Sequence, residues 1–260
     1  KPTLLGGCPE DYTLAPPLLL MAPFSKLHYS SMLSDKEKKG RPVRSYVIRS
    51  GRITNSQRHA IDKLWNDHVV PYSGELLDLR EIFNNRLPIT VEIGFGMGSS
   101  LIDMARKESK TNFLGIEVHK PGIGKTLNDV ELYAIKNLKL ICHDATEVFQ
   151  NAFKNKSLDR ILIYFPDPWP KKRHAKRRLI QTEFATIISE KLKIGGHLHL
   201  STDWRPYADH MVSVLEKVPH LKNAIAQNSF WENPKRPETK FERRGKTLGN
   251  KIWDLLYEKE

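Results

Sequence analysis

Ile89-Thr-Val-Glu-Ile-Gly-Phe-Gly-Met-Gly98 is the stretch that decides the fold. The apolar run 89–95 reads as a buried strand. Glycines at 94, 96 and 98 let the backbone turn tightly and approach a ligand without Cβ clashes. A helix is expected from this turn to about Lys107. Outward from the unit, the rhythm repeats. Strands are expected over 112–119, 138–143, 158–165 and 197–202. Helices are expected over 124–135, over 178–192 (ending at Gly195-Gly196), and over 207–218. The 158–165 run is nearly all apolar, as in a strand covered on both faces. This alternation predicts an α/β protein with a Rossmann-like, doubly wound, mostly parallel sheet. Upstream, residues 56–70 have a helical pattern that places Ile61, Leu64, Trp65 and His68 on one face. A short helix is expected within 75–84. There are no internal repeats.

The chain has 260 residues, enough for one sizeable domain with extensions. Apolar residues make up 39%, and no stretch approaches the roughly 20 needed to span a bilayer. The apolar patch 14–24 is broken by Pro16, Pro17 and Pro23 and lacks a cleavage site, so a signal peptide is not expected. Residues 1–43 are Pro-rich and aperiodic at their start and are expected to be a disordered extension; the domain proper is expected over 44–260. Met32, followed by Leu-Ser-Asp-Lys-Glu, is one alternative for the natural start. There are two cysteines, Cys8 and Cys142. Cys142 is expected to be a buried strand residue, and the count fits a reducing cytoplasm rather than a disulfide framework.

The formal charge is +12 and is unevenly placed. Residues 36–59, 171–178 and 235–246 hold +7, +6 and +4, leaving the rest of the chain about −5. Three basic clusters on a mildly acidic body suggest a polyanionic partner; the plainer alternative is three solvated faces.

In doubly wound sheets, ligands bind outside the carboxyl ends of the strands. Each expected strand has an acid at or near that end: Glu92, Glu117, Asp144, Asp167 and Asp203. Glu117 suits the ribose hydroxyls of an adenosine ligand and Asp144 its adenine amino group. Glu92 beside the turn would repel a pyrophosphate but welcome an ammonium. That favours S-adenosylmethionine (SAM) over NAD. His197 and His199 share a strand face, but no third ligand is near, so no metal is expected.

Phe165-Pro-Asp-Pro-Trp-Pro-Lys-Lys-Arg-His174 is more distinctive. Together with Val91–Gly98, Gly115-Ile-Glu-Val-His119, His143-Asp-Ala145, Ser201-Thr-Asp-Trp204 and Thr239-Lys-Phe-Glu-Arg-Arg-Gly245, it closely resembles the bacterial tRNA (guanine-N7-)-methyltransferase family. The likeness runs from about Arg44, whose stretch 44–52 resembles the family's N-terminal arm, to the C-terminus. The resemblance implies a class I methyltransferase sheet of seven strands with an antiparallel last strand, here expected over 251–257. It implies methyl transfer from SAM to N7 of the variable-loop guanosine at position 46 of tRNA. Glu92, Gly94, Gly96, Gly98, Glu117 and Asp144 would lie against SAM, and Asp167 would be the active-site acid. Lys171, Asp203, Thr239, Lys240, Phe241 and Glu242 would contact tRNA. Bacterial members act without a helper protein, so no obligatory protein partner is expected, and the chain would be a monomer or homodimer.

The chemistry agrees with this reading. Guanine N7 has a free lone pair, so the site needs in-line positioning and charge stabilisation rather than a general base. Asp167, braced by Pro166 and Pro168, could hold the guanine N1–H edge. Trp169 and Phe241 could stack on the base or serve as core aromatics. Two rivals stand beside it: a SAM enzyme methylating DNA or a small molecule, since Pro-rich loops after strand four also occur in amino-methylating enzymes, and an RNA-binding module with a degenerate cofactor pocket.

Overall fold

The computed structural model describes residues 43–47 and 51–260, and Val43–Glu260 form one compact unit. Residues 1–42, with Cys8, Met32 and most of the expected disordered extension, lie outside the described residues.

The expected alternation is present. In order, the elements are α1 (Asn55–His68), α2 (Leu79–Phe83), β1 (Ile89–Ile93), α3 (Ser99–Lys107), β2 (Asn112–Ile116), α4 (Lys120–Leu132), β3 (Leu138–Ile141), α5 (Ala145–Asn151) and β4 (Leu158–Tyr164). A 3₁₀ helix (Lys172–Arg177) then leads to α6 (Thr182–Lys191), β5 (Leu192–Thr202), α7 (Arg205–Leu215), β6 (Leu221–Asn223), α8 (Lys240–Thr247) and β7 (Trp253–Lys259). The seven strands form one sheet in the order β3-β2-β1-β4-β5-β7-β6. Strands β1 to β5 are parallel, and β7 runs antiparallel between β5 and β6. This is the class I methyltransferase arrangement that the resemblance implied.

Local chemistry explains the elements. Thr54 opens α1 with a capping box. Its hydroxyl accepts from Gln57 N (3.2 Å), and the Gln57 side chain accepts from Thr54 N (2.9 Å). Every residue of β1 is buried, because it lies mid-sheet with helices over both faces. Alternation then divides its side chains. Ile89, Val91 and Ile93 enter one apolar core with Ile161, Ile163, Phe149 and Phe184. Thr90 and Glu92 point to the other face, where Leu162, Leu127, Leu101 and Phe113 form the second core.

Several expectations need correction. The helix expected over 178–192 begins only at Thr182, and the chain passes straight into β5 at Leu192. Gly195 (φ +75°) and Gly196 are therefore not a helix stop. They form an irregularity within β5, where the pairing with β4 slips between Leu158 and Arg160. Helix α4 starts at Lys120, before the expected 124, because Pro121 supplies a preset first-turn φ. Helices α5 and α8 and strand β6 were not anticipated. Within the basic cluster 171–178, Lys172–Arg177 form a 3₁₀ helix. Cys142 is half-buried, one residue past the end of β3.

Candidate active site

Because β1 to β5 are parallel, their carboxyl ends share one rim. Glu92, Glu117, Asp144, Asp167 and Asp203 all stand on it or on the loops leaving it. Glu117 follows β2 and Asp167 follows β4, the two neighbours of β1.

The half of the rim formed by β1–β3 is built from fixed backbone and buried charge. Gly94 (φ +72°) and Gly96 (φ +59°) are left-handed, and a Cβ on either would meet nothing within 4 Å. The space before the turn is open. Gly98 (φ +78°) instead faces protein: a Cβ there would fall 2.1 Å from Thr126 Oγ1. Glu117 is held by three amides. Gly96 N donates to Oε2 (2.9 Å), and Val118 N and His119 N donate to Oε1 (2.7 and 2.9 Å). Asp144 caps α5, accepting from Thr146 N (2.8 Å) and Thr146 Oγ1 (2.7 Å). The Tyr46 phenol of the N-terminal arm faces Asp144, and burial first and that charge second raise its pKa.

Glu92 is the unusual group. It is 3% exposed, and its Oε2 has no hydrogen-bond partner among the described residues. Burial, reinforced by the Glu117 charge, pushes its pKa up to about 8. A buried carboxylate with an unused oxygen beside an open glycine turn suits a cationic ligand group. The amino acid end of SAM is such a group, so these residues fit that cofactor.

The other half of the rim is more exposed. Asp167 is exposed on the loop after β4. Beyond its flanking prolines, the loop is shaped by two non-glycine residues in left-handed conformation, Phe165 (φ +51°) and Trp169 (φ +45°). Each such residue costs on the order of 1 kcal/mol or more, which surrounding packing must offset. Arg178 Nε donates to Pro168 O (3.1 Å) from beyond the 3₁₀ helix. Trp169 is half-buried: its Nε1 donates to Ser45 O (3.0 Å), and the Arg177 guanidinium lies 5.0 Å from its ring. The indole thus joins the arm to the basic 3₁₀ helix. Lys171 immediately precedes that helix and is exposed.

Asp203 follows β5, half-buried, and accepts from Asn250 Nδ2 (3.3 Å) just beyond α8. Helix α8 holds the remaining candidates. Thr239 caps it, accepting from Glu242 N (3.0 Å). Lys240 and Phe241 are exposed, and the Phe241 ring stacks toward Phe165 with centroids 6.4 Å apart. Glu242 is buried and ion-paired internally with Arg236 and with Lys246 (2.8 Å). The third basic cluster is therefore partly internal, since the Arg236 side chain is only 3% exposed.

Sequence reasoning missed this internal group: Arg236, Asp254, His199 and Tyr164. Asp254 Oδ1 takes hydrogen bonds from His199 Nε2 (2.8 Å) and Arg236 Nε (2.7 Å). The available signal was an acid within the apolar final strand, which a buried position cannot hold without a partner. Among the described residues, no cluster of His, Cys, Asp and Glu could hold a metal, and no helix is long and apolar enough to cross a membrane.

A family model described as "Putative methyltransferase" matches residues 86–255. A tRNA (guanine-N(7)-)-methyltransferase of Serratia proteamaculans is 46% identical over 221 residues, covering 85% of this chain and 92% of that protein. The chain belongs to the tRNA (guanine-N(7)-)-methyltransferase family. A protein of the same name from Klebsiella pneumoniae is 44% identical over 227 residues, covering 86% of this chain and 95% of its own. The crystal structure of the 16S rRNA methyltransferase KamB aligns with TM-score 0.53 at 13% identity, over 74% of this chain and 99% of that one, a likeness of fold alone. The cofactor of this methyltransferase family member is SAM.

Proposed function

We propose that this chain methylates N7 of guanosine in tRNA, at position 46 of the variable loop, and that Asp167 receives the guanine edge. One observation supports this reading above the others. Asp167 leaves the strand beside β1, on the same rim as the open glycine turn and Glu92, and a helix of exposed cations follows it directly. The names of the Serratia and Klebsiella relatives support tRNA and guanine N7 as the target.

When bound, SAM supplies the electrophilic methyl carbon. The residues then need only hold and stabilise. Glu92 binds the ammonium, the amide-fixed Glu117 binds the ribose hydroxyls, and Asp144 binds the adenine amino group. N7 attacks with its own lone pair, so no residue removes a proton beforehand. As the purine ring gains positive charge, its N1–H and amino group become stronger donors. A carboxylate held against them binds the transition state better than the ground state. Such a preorganised group is worth on the order of 3 kcal/mol of barrier. Asp167 also selects guanine, because adenine presents an acceptor at N1. Lys171, Asp203 and the Thr239–Glu242 segment contact the tRNA, with Phe241 the ring offered to the exposed base. Drawing that base from its stack costs a few kcal/mol, which binding of phosphates to the basic segments offsets.

The test is to incubate the purified chain, alone, with unmodified tRNA and labelled SAM, then map the product nucleoside. N7-methylguanosine in the variable loop is expected. N6-methyladenosine, or a methylated guanosine elsewhere, would overturn the assignment.

A further inference from the structure

The internal group missed by sequence reasoning connects two parts of the site that no element joins directly. Arg236 lies in the segment between β6 and α8. Its Nε and Nη2 donate to the two oxygens of Asp254 on β7 (2.7 and 2.9 Å). Its Nη1 donates to Glu242 on α8 and to Pro237 O (3.3 Å). Its flat guanidinium lies 5.2 Å from the Tyr164 ring and 5.9 Å from the Phe165 ring. Tyr164 ends β4, and Phe165 is the left-handed residue from which the Asp167 loop departs. A second path closes the circuit: Asp254 holds His199 Nε2, and His199 Nδ1 meets Tyr164 Oη at 3.1 Å.

Buried ion pairs are often replaceable by apolar side chains without loss, so their presence is better explained by the geometry they fix. The guanidinium fork matches carboxylates in two directions and stacks on rings, which a lysine cannot do. Here the fork clasps the start of α8 on one side and the root of the Asp167 loop on the other. Phe241, the neighbour of Glu242, stacks toward the same Phe165.

We propose that Arg236 is a positioning residue for methyl transfer, setting the Thr239–Glu242 segment and the Asp167 loop at a fixed separation so that the target base meets both. The inference rests on the reading that Asp167 faces the base. Glu117 and Asp144 follow β2 and β3, beyond β1 from the clasp, whereas Glu92 lies within electrostatic reach of Tyr164; replacing Arg236, which leaves Tyr164 in place, should therefore leave cofactor affinity largely unchanged.

The test uses Arg236→Lys, Asp167→Asn and the double variant in the full chain. It measures turnover at saturating tRNA, the KM for tRNA and the Kd for SAM. Arg236→Lys keeps a cation in the pocket but removes the fork and the stack. It is expected to lower kcat about tenfold or more, as small misplacements do, while the Kd for SAM stays within about twofold. In the double variant, the loss should fall well short of the product of the single losses, because Arg236 acts through the group that Asp167→Asn has already removed. A merely structural role would instead lower the thermal midpoint with kcat unchanged, or give independent losses that multiply; either result overturns the proposal. Full turnover in Asp167→Asn alone would mark a failure of the underlying reading. A weakened Asp167→Asn beside an unaffected Arg236→Lys would mark failure of this inference. Should Arg236→Lys not fold, Phe165→Leu removes the ring that both the guanidinium and Phe241 face at the root of the Asp167 loop, and is expected to show the same loss of kcat with SAM binding kept; unchanged kcat there overturns the proposal.

Discussion

Glu92 and Asp254 are both acids on buried strands, 3% and 2% exposed, yet they are treated in opposite ways. Around Asp254, burial pushes the pKa up, but hydrogen bonds from His199 and Arg236 outweigh it and hold the carboxyl below its ordinary value. Around Glu92, burial acts with the neighbouring Glu117 charge and nothing opposes them, so the pKa is raised to about 8. The same desolvation is answered internally around Asp254 and left unanswered at Glu92 beside the glycine turn. An acid whose charge is neutralised within the fold fixes geometry. One that is left unsatisfied beside an open turn marks where a cationic ligand group completes the structure.

The largest effect should come from the exposed acid between these two. Asp167→Asn is expected to lower turnover about 100-fold, corresponding to the roughly 3 kcal/mol that a preorganised group contributes. Its SAM affinity should stay within about twofold; unchanged turnover would remove Asp167 from the mechanism. Next is Glu92→Gln, which should weaken SAM binding roughly 10- to 100-fold, since a hydrogen bond to a charged group is worth about 1.5–3 kcal/mol. The same variant sharpens the comparison through stability. In the ligand-free protein, folded Glu92 keeps its proton up to about 8, whereas the unfolded chain releases it near 4.5. The folded state therefore binds more protons between those values, and stability falls as pH rises through that window, then levels above it. Thermal midpoints of Glu92→Gln should lack that part of the decline; identical pH profiles would contradict the assignment. The smallest effect belongs to the exposed 3₁₀ helix. Replacing Lys172 or Arg173 by Ala should weaken tRNA binding modestly. For each phosphate the side chain had neutralised, the slope of log affinity against log salt concentration should become shallower by about one. An unchanged slope would place that cation away from the RNA.

Much of this was legible in the sequence, for reasons specific to each element. The strands of the parallel sheet announce themselves because both faces are covered, leaving continuous apolar runs such as Ile161–Tyr164. The acids at their ends were legible because a polar residue closing an apolar strand stands out. Four things were hidden. Helix α8 is short and carries so many charges that no apolar stripe shows. Gly195-Gly196 looks like a helix stop, and only the pairing with β4 reveals it as an irregular strand. The link from Arg236 to Glu242 and Asp254 joins residues brought together by the antiparallel insertion of β7, and no spacing rule reaches across that. The tight, left-handed shape of the Asp167 loop was likewise invisible, since Phe165 and Trp169 are residue types that seldom adopt it.

The contrast between the two buried acids is tested most directly by counting protons. SAM binding near pH 6 can be titrated calorimetrically in buffers of differing ionisation enthalpy, for the native chain and for Glu92→Gln. Free Glu92 is protonated there and must ionise to meet the ligand's ammonium, so close to one proton should leave the native protein per SAM bound, and none should leave the variant through this group. Binding of SAM to the native chain with no proton release, at an affinity shared by Glu92→Gln, would contradict the account.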